Sequence, residues 1–293
     1  MNYFNYQGLE LLIARYHENK YVLHTLIRLI LRSSSITKGT VMNLENSNTK
    51  CFIIHLKRAH KRKSFVDDII KNVAIDSEII NAVDGKILSK KDIDNILSYN
   101  GIYNPKYPFK INSGEIGCFL SHRKAWKKIV EQKLDAGLIL EDDIRISPLT
   151  FNKSFNFALK VIQKYKFIQF QVRKIKKKCK IIELDNELEL LQPLPSFLRT
   201  SAQLVSYEAA VELLNQTTKI DRPVDTTLQI FWKTNIISYC VNPSGISDHT
   251  FEAGGSTLSK KNSSSLKISI NVKRLIYRTI IFYLSKYKKI KET

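Results

Sequence analysis

Gly137-Leu138-Ile139-Leu140-Glu141-Asp142-Asp143-Ile144 is the stretch whose reading decides the fold of this chain. Small and aliphatic residues in a short unbroken run predict a strand buried on both faces, the pattern of a parallel sheet rather than a half-solvated one. Three acids end the run, and in open α/β sheets ligands lie beyond the carboxyl ends of the strands. Adjacent carboxylates repel one another, and their hard oxygens suit Mg²⁺ or Mn²⁺, which would neutralise them while holding a diphosphate. If the chain stays extended, Glu141 and Asp143 share one face and Asp142 takes the other, so two acids meet one ion. A solvated acidic turn is the competing reading of the same segment.

Working outward, residues 51–56 form a second buried-type strand that runs into the basic cluster 57–63. A helix over about 64–72 follows, so Arg58 and Arg62 stand where a nucleotide diphosphate would be gripped by charge-assisted bonds; a solvated basic helix start is the alternative. The next strand, 77–83, ends in Asp84-Gly85, either a turn or an acceptor for a ribose or base. Residues 87–108 read as a short helix and a loop, before Ser113-Gly114-Glu115 opens a strongly patterned helix. Glu115 favours its dipole, and Ile116, Phe119, Leu120, Trp126 and Val130 mark its apolar stripe. His122 lies inside that stripe, which makes it a satisfied core histidine, and Glu115 lies two turns before it on the same face.

Beyond the acids, the pattern predicts a helix over 151–164 and a strand over 167–172. The intensely basic run 173–180 carries no interleaved aromatics and reads as solvated surface. A strand over 200–205, a helix over 207–214 capped by Ser206, a helix from Asp225 through Trp232 and a strand over 235–241 complete the pattern. An acid at a helix start beside a pocket, as Asp225 would be, is either a general base or a cap.

Composition bounds the function. The 293 residues, 43% apolar and 10% aromatic, suffice for a real core, and 47 Lys+Arg against 27 Asp+Glu give a net charge of +20 that attracts phosphorylated ligands, anionic lipid or nucleic acid. The four cysteines are far apart with no C-x-x-C pair, so neither a zinc site nor a disulfide framework is indicated and a reducing cytosol fits. Residues 1–50 read as a helical extension, roughly 9–31, and a polar linker, with the boundary near Lys50. Its apolar residues are too interrupted for an anchor or signal peptide. Residues 257–293 read as a basic amphipathic tail in which Val272, Ile276, Ile280, Tyr283 and Tyr287 form a stripe suited to lying on an anionic membrane.

Taken together, several blocks resemble glycosyltransferase family 25, the lipooligosaccharide-biosynthesis type that includes the collagen galactosyltransferases. They are residues 51–62, Ala82-Val83-Asp84-Gly85, the run 114–122 with Trp126, the stretch 138–143, the segment 200–214 and Pro223-Val224-Asp225. The resemblance covers about 51–256. It implies a GT-A-like α/β fold with a mostly parallel, helix-flanked sheet, a UDP-sugar donor, a divalent cation (Mn²⁺ or Mg²⁺) and inversion at the anomeric carbon. The implied reaction moves a hexose, galactose or glucose, to a saccharide or glycolipid acceptor of lipooligosaccharide or another surface glycan. The enzyme would be cytoplasmic and peripheral to the inner membrane. Glu141-Asp142-Asp143 takes the place of the acidic metal motif, with His249 as a further candidate ligand, and Asp84 that of the nucleotide-side acid. Arg58, Arg62, Glu115, His122, Glu141 and Asp142 complete the donor-side candidates, and Asp225 is the candidate base. Arg199 and Gln203 stand where the family leads one to expect a glycine and an aromatic. The competing class is a basic nucleic-acid-binding protein or metal-dependent nuclease.

Overall fold

The computed structural model describes residues 47–253, 255 and 267–288; the expected helix over 9–31 and its linker lie outside them. Strand β1 (Thr49–His55) is followed by a 3₁₀ turn at His60–Arg62, helix α1 (Lys63–Asn72), β2 (Ser77–Asn81) and the short α2 (Lys90–Ile96). Then come α3 (Ser113–Glu131), β3 (Ala136–Glu141), β4 (Ile144–Ile146), α4 (Pro148–Tyr165), β5 (Phe167–Phe170), and the pair β6 (Lys180–Asp185) and β7 (Leu188–Gln192). The later elements are β8 (Ala202–Ser206), α5 (Tyr207–Gln216), α6 (Val224–Leu228), α7 (Phe231–Thr234), β9 (Tyr239–Asn242), β10 (Ile246–Asp248) and α8 (Lys267–Tyr287).

Eight strands form one sheet in the order β2-β1-β3-β8-β5-β9-β7-β6. Parallel pairing joins β2 to β1, β1 to β3 and β5 to β9, while β8 and β7 run against their neighbours, so six of the eight strands point the same way. This is the mostly parallel, helix-flanked sheet that the sequence predicts. The apolar runs are continuous because both faces are covered. Cys51, Ile53, Leu138 and Leu140 meet α1 and α4, while Phe52, Ile54 and Ile139 meet α3 and α5. Gly137 is required by packing, since a Cβ there would lie 2.5 Å from the Ile129 side chain of α3.

Three local readings change. The hairpin β6–β7, turning through Asn186 at φ +55°, follows the basic loop and carries the sheet to its edge. The helix expected from Asp225 through Trp232 breaks at Gln229-Ile230 into α6 and α7. The C-terminal helix α8 does not project as a tail. Tyr277 and Ile281 are buried against Ile230, Phe231 and Trp232, and the Tyr277 hydroxyl accepts a hydrogen bond from the buried Arg222 at 2.9 Å.

Candidate active site

The parallel register puts Ile54 beside Glu141, so the carboxyl ends of β1 and β3 open at the same edge. The chain turns immediately after Glu141 instead of staying extended, and this overturns the expectation that Asp142 points away from the other acids. Arg62, buried at the end of its 3₁₀ turn, donates from Nη1 to Asp142 Oδ1 at 2.6 Å, lies 3.2 Å from Asp143 Oδ2, and donates from Nη2 to the Gly255 carbonyl at 2.8 Å. Burial opposes its charge, and Asp143 and Asp142 overcome that opposition. Asp142 also pairs with His55 Nδ1 at 2.7 Å. Its role is to tie the β1 end to the acidic turn.

Glu141 is held from three sides. His122 Nε2 lies 3.0 Å from Oε1, with the Thr200 hydroxyl at 3.2 Å, and the Ser201 hydroxyl lies 3.4 Å from Oε2. Burial pushes its carboxyl up, but the His122 hydrogen bond and charge bring it below the usual range. His122 is fully buried and satisfied at both nitrogens, as the sequence predicts for a core histidine, the Gln203 amide Nε2 lying 2.8 Å from Nδ1. Gln203 thus gains a role that sequence reasoning missed. Its signal was an amide in the middle of a buried strand.

Asp143 is 8% exposed, and its carboxyl is pushed up to about 6 by burial and by the charge of Glu141, with Arg62 opposing. It accepts from the Thr250 hydroxyl at 3.1 Å, and its carbonyl accepts from the His249 amide at 2.9 Å. The His249 side chain is directed elsewhere, to Ser247 Oγ at 3.1 Å and Glu252 Oε1 at 3.0 Å, so the segment after β10 meets the acidic turn through its backbone and Thr250.

Two clefts meet at this turn, sharing Cys118, Glu141 and Asp143. The smaller, about 160 Å³, is bounded by Arg58, Arg62, Asp84, His122 and Asp142. Arg58 Nε donates to Asp84 Oδ2 at 2.5 Å, which lowers the Asp84 carboxyl. The loop bearing Asp84 is seated on α3 by two glycines. A Cβ on Gly85 would lie 1.7 Å from the Ser113 carbonyl oxygen, and one on Gly117 would lie 2.5 Å from that of Val83. The family blocks around 82–85 and 114–122 are therefore two sides of one contact.

The larger cleft, about 400 Å³, is bounded by Tyr107, Glu115, Arg199, Asp225 and Tyr277. Glu115, expected on the donor side, faces this cleft and closes the capping box of α3, its Oε2 accepting from the Asn112 amide at 2.8 Å. Asp225 Oδ2 accepts from the Arg199 amide at 3.2 Å and Oδ1 from the Thr226 hydroxyl at 3.1 Å. Arg199 sits at φ +78°, the left-handed region that favours glycine, which explains why a glycine was expected there. Its Nη1 donates to Asp248 Oδ2 at 2.7 Å, an anchor that offsets the strain.

Two donor sets fit a cation. Among the described residues, Cys118, His122 and Glu141 bring one ligand atom each within 4.8 Å of one another. However, the Cys118 thiol is pushed well up by burial and neighbouring acids, and both His122 nitrogens are engaged. Glu141 and Asp143 both line the two clefts, and their carboxylate oxygens are hard donors of the kind that suits Mg²⁺ or Mn²⁺.

The chain is 29% identical over 214 residues to a glycosyltransferase 25 family member of Drosophila melanogaster, covering 66% of this chain and 34% of that protein. It is 36% identical over 96 residues to procollagen galactosyltransferase 2 of Homo sapiens, covering 32% of this chain and 15% of that protein. The chain thus matches about a third of the length of the first relative and 15% of the second. Among solved structures, a glycosyltransferase involved in the glycosylation of the major capsid of PBCV-1 aligns at TM-score 0.30 and 10% identity, covering 62% of this chain and 65% of that one. A197 from STIV aligns at TM-score 0.34 and 12% identity, covering 74% and 98%. The model of glycosyltransferase family 25 (LPS biosynthesis protein) matches residues 48–228, which hold both strand ends, the acidic turn and Asp225, and the chain belongs to that family.

Proposed function

We propose that this chain is an inverting, cation-dependent hexosyltransferase that moves galactose or glucose from a UDP-sugar to a saccharide acceptor of a surface glycan. The observation that carries the reading is the meeting of two clefts at Glu141 and Asp143, one with basic residues and Asp84, the other with Asp225 and aromatic walls. The donor nucleotide occupies the smaller cleft and the acceptor the larger. Glu141 and Asp143 would hold Mn²⁺ or Mg²⁺, which when bound supplies neutralisation of the departing diphosphate. Arg62 fixes the acidic turn, and His122, held by Gln203, orients Glu141. Asp225 takes the proton of the acceptor hydroxyl as its oxygen bonds to the anomeric carbon and the sugar–phosphate bond breaks, the electron pair leaving with UDP. A single displacement of this kind needs no protein nucleophile. The family assignment favours a transferase over the nucleic-acid reading. Thermal-shift titration with UDP-galactose and UDP-glucose, with and without Mn²⁺, tests the proposal. A Mn²⁺-dependent stabilisation by at least one of them is expected, and its absence for both would refute the donor assignment.

We propose further that the enzyme lies on an anionic membrane surface through α8. This helix has two apolar faces. Tyr277 and Ile281 pack inward, whereas Val272, Ile276, Ile280, Tyr283 and Tyr287 are exposed and, at 100° per residue, form a separate stripe about 120° round the helix from them. Lys273 and Lys286 border the exposed stripe, and no helix among the described residues is long and apolar enough to cross a membrane. Attraction to anionic lipid contributes about 1 kcal/mol per basic residue near the surface. Co-sedimentation of the full chain with phosphatidylglycerol liposomes should be lost in Ile276→Glu/Tyr283→Glu, with donor binding retained; equal binding by both proteins rules the surface out.

A further inference from the structure

Helix α8 begins well beyond the family match at 48–228, yet it supplies part of the same cleft as Asp225: Arg274, Tyr277 and Arg278 all line it. The placement is fixed by packing. Arg222 is fully buried, and its guanidinium spans Asp221, the Tyr103 and Pro105 carbonyls and the Tyr277 hydroxyl, so the register of α8 is set at residue 277. Residues 274 and 278, one turn before and one residue after that anchor, flank the buried face and reach the cleft. Arg274 lies with its Cζ 5.8 Å from the centroid of the Phe109 ring, and among the described residues its Nη1 donates only to the neutral Asn271 side chain, at 3.1 Å. Arg278 makes no hydrogen bond or ion pair among the described residues. The acids of this cleft have other work: Glu115 closes a helix cap, Glu141 and Asp143 form the acidic turn, and Asp225 is held by Arg199 and Thr226. Two forked cations without a carboxylate partner among the described residues, beside the flat faces of Tyr107, Phe109 and Tyr277, make a subsite with a distinct preference.

Resting on the acceptor assignment above, we infer that the acceptor sugar carries an anionic group, phosphate or carboxylate, which Arg274 and Arg278 receive at the rim of the larger cleft. The donor diphosphate does not account for them, since Arg274 and Arg278 line the larger cleft and not the smaller one assigned to the donor nucleotide. Arginine is suited to the task because its planar fork matches the oxygens of either group in a bidentate fashion. The pair therefore acts as a specificity determinant, supplied by a segment that the family model does not cover.

The test titrates the full chain with galactose, galactose 6-phosphate and glucuronate at 150 mM salt, with and without UDP and Mn²⁺. Each charged sugar that fits the site should bind about tenfold or more tightly than galactose, as expected for charge-assisted bonds at a partly solvated rim. The phosphate and carboxylate arms identify which group is preferred. In Arg274→Ala/Arg278→Ala the advantage should vanish, in Arg278→Ala it should fall part-way, and UDP affinity should be unchanged in both. Equal binding of neutral and charged sugars, an advantage surviving in the double variant, or a parallel loss of UDP affinity would each overturn the inference. Failure of UDP to bind the unaltered chain would instead count against the donor assignment, and the titration without UDP reads the arginines independently of it.

Discussion

Replacing Asp143 by Asn separates what the acidic turn does for chemistry from what it costs the fold. The carboxyl titrates near 3.8 when unperturbed and at about 6 in the folded chain. For an acid with a raised folded pKa, the folded state binds the proton more tightly than the unfolded one. Stability is therefore full below about 3.8 and declines as pH rises to about 6, a loss of about 3 kcal/mol at 1.36 kcal/mol per unit. Asn never ionises and escapes that loss, while Arg62 gives up a 3.2 Å partner but keeps Asp142 at 2.6 Å. The metal-free variant should consequently be more stable than the unaltered chain at pH 7.5 by about 1–3 kcal/mol, or roughly 2–10 °C in Tm for a domain of this size. The same substitution removes a cation ligand, so stabilisation by Mn²⁺ and metal-dependent transfer should both disappear. Below pH 6 the proton competes with the metal, so the Mn²⁺ effect on the unaltered chain should weaken up to tenfold in affinity per pH unit. Thermal unfolding from pH 5 to 8, with EDTA or Mn²⁺, reads all of this. A variant less stable than the unaltered chain at pH 7.5 in EDTA, or one that keeps the full Mn²⁺ shift, would refute the reasoning.

Asp225→Asn should lower transfer by roughly 10² or more with UDP affinity unchanged; near-normal transfer in a coupled UDP-release assay would rule out the base. Gly117→Ala sets helix propensity, worth about 1 kcal/mol in favour of Ala, against a Cβ 2.5 Å from the Val83 carbonyl oxygen and 2.7 Å from the Gly85 amide nitrogen. Both neighbours are backbone and must move, so the clash should win with a net loss of about 1–3 kcal/mol in urea unfolding and weaker UDP binding as the Asp84 loop shifts. Tyr277→Phe leaves a buried Arg222 donor without its 2.9 Å partner and should cost about 1–2 kcal/mol; an unchanged urea midpoint would mean that α8 is not anchored there.

The sheet was legible because its strands are buried on both faces, and a continuous apolar run such as 137–140 has few other uses. The helix at 113–131 was legible for the complementary reason, its apolar residues recurring at helical spacing. What escaped is the geometry after the strand ends. Alternation along an extended chain predicts opposite faces for Asp142 and Asp143, but a single buried arginine draws both to itself, and no periodicity encodes a turn imposed by a residue 80 positions away. His249 escapes for a related reason: it meets the acidic turn through its backbone amide, which donates to the Asp143 carbonyl, and the backbone is common to all residues. Arg199 and Gln203 were legible only as departures from a family pattern. The structure gives both physical content, one as an arginine held in a glycine's conformation by Asp248, the other as the amide that orients His122.

The C-terminal helix shows how a correct pattern can mislead about position. Its stripe of Val272, Ile276, Ile280, Tyr283 and Tyr287 reads as a face suited to lying on a membrane, and these residues are exposed. What the pattern does not show is that Tyr277 and Ile281 form a second apolar face, which packs inward and which the buried Arg222 holds through a hydroxyl. Polar anchoring of an aromatic residue is invisible to a hydrophobic period, since tyrosine counts equally on either side. The consequence joins the two proposals made for this segment. With Tyr277 fixed inward, Arg274 and Arg278 necessarily border the cleft while the aliphatic stripe necessarily faces away from it. Charge reversal at Ile276 and Tyr283 should therefore alter lipid binding without altering sugar preference, and alanine at the two arginines should remove the sugar preference while membrane binding driven by the opposite stripe persists.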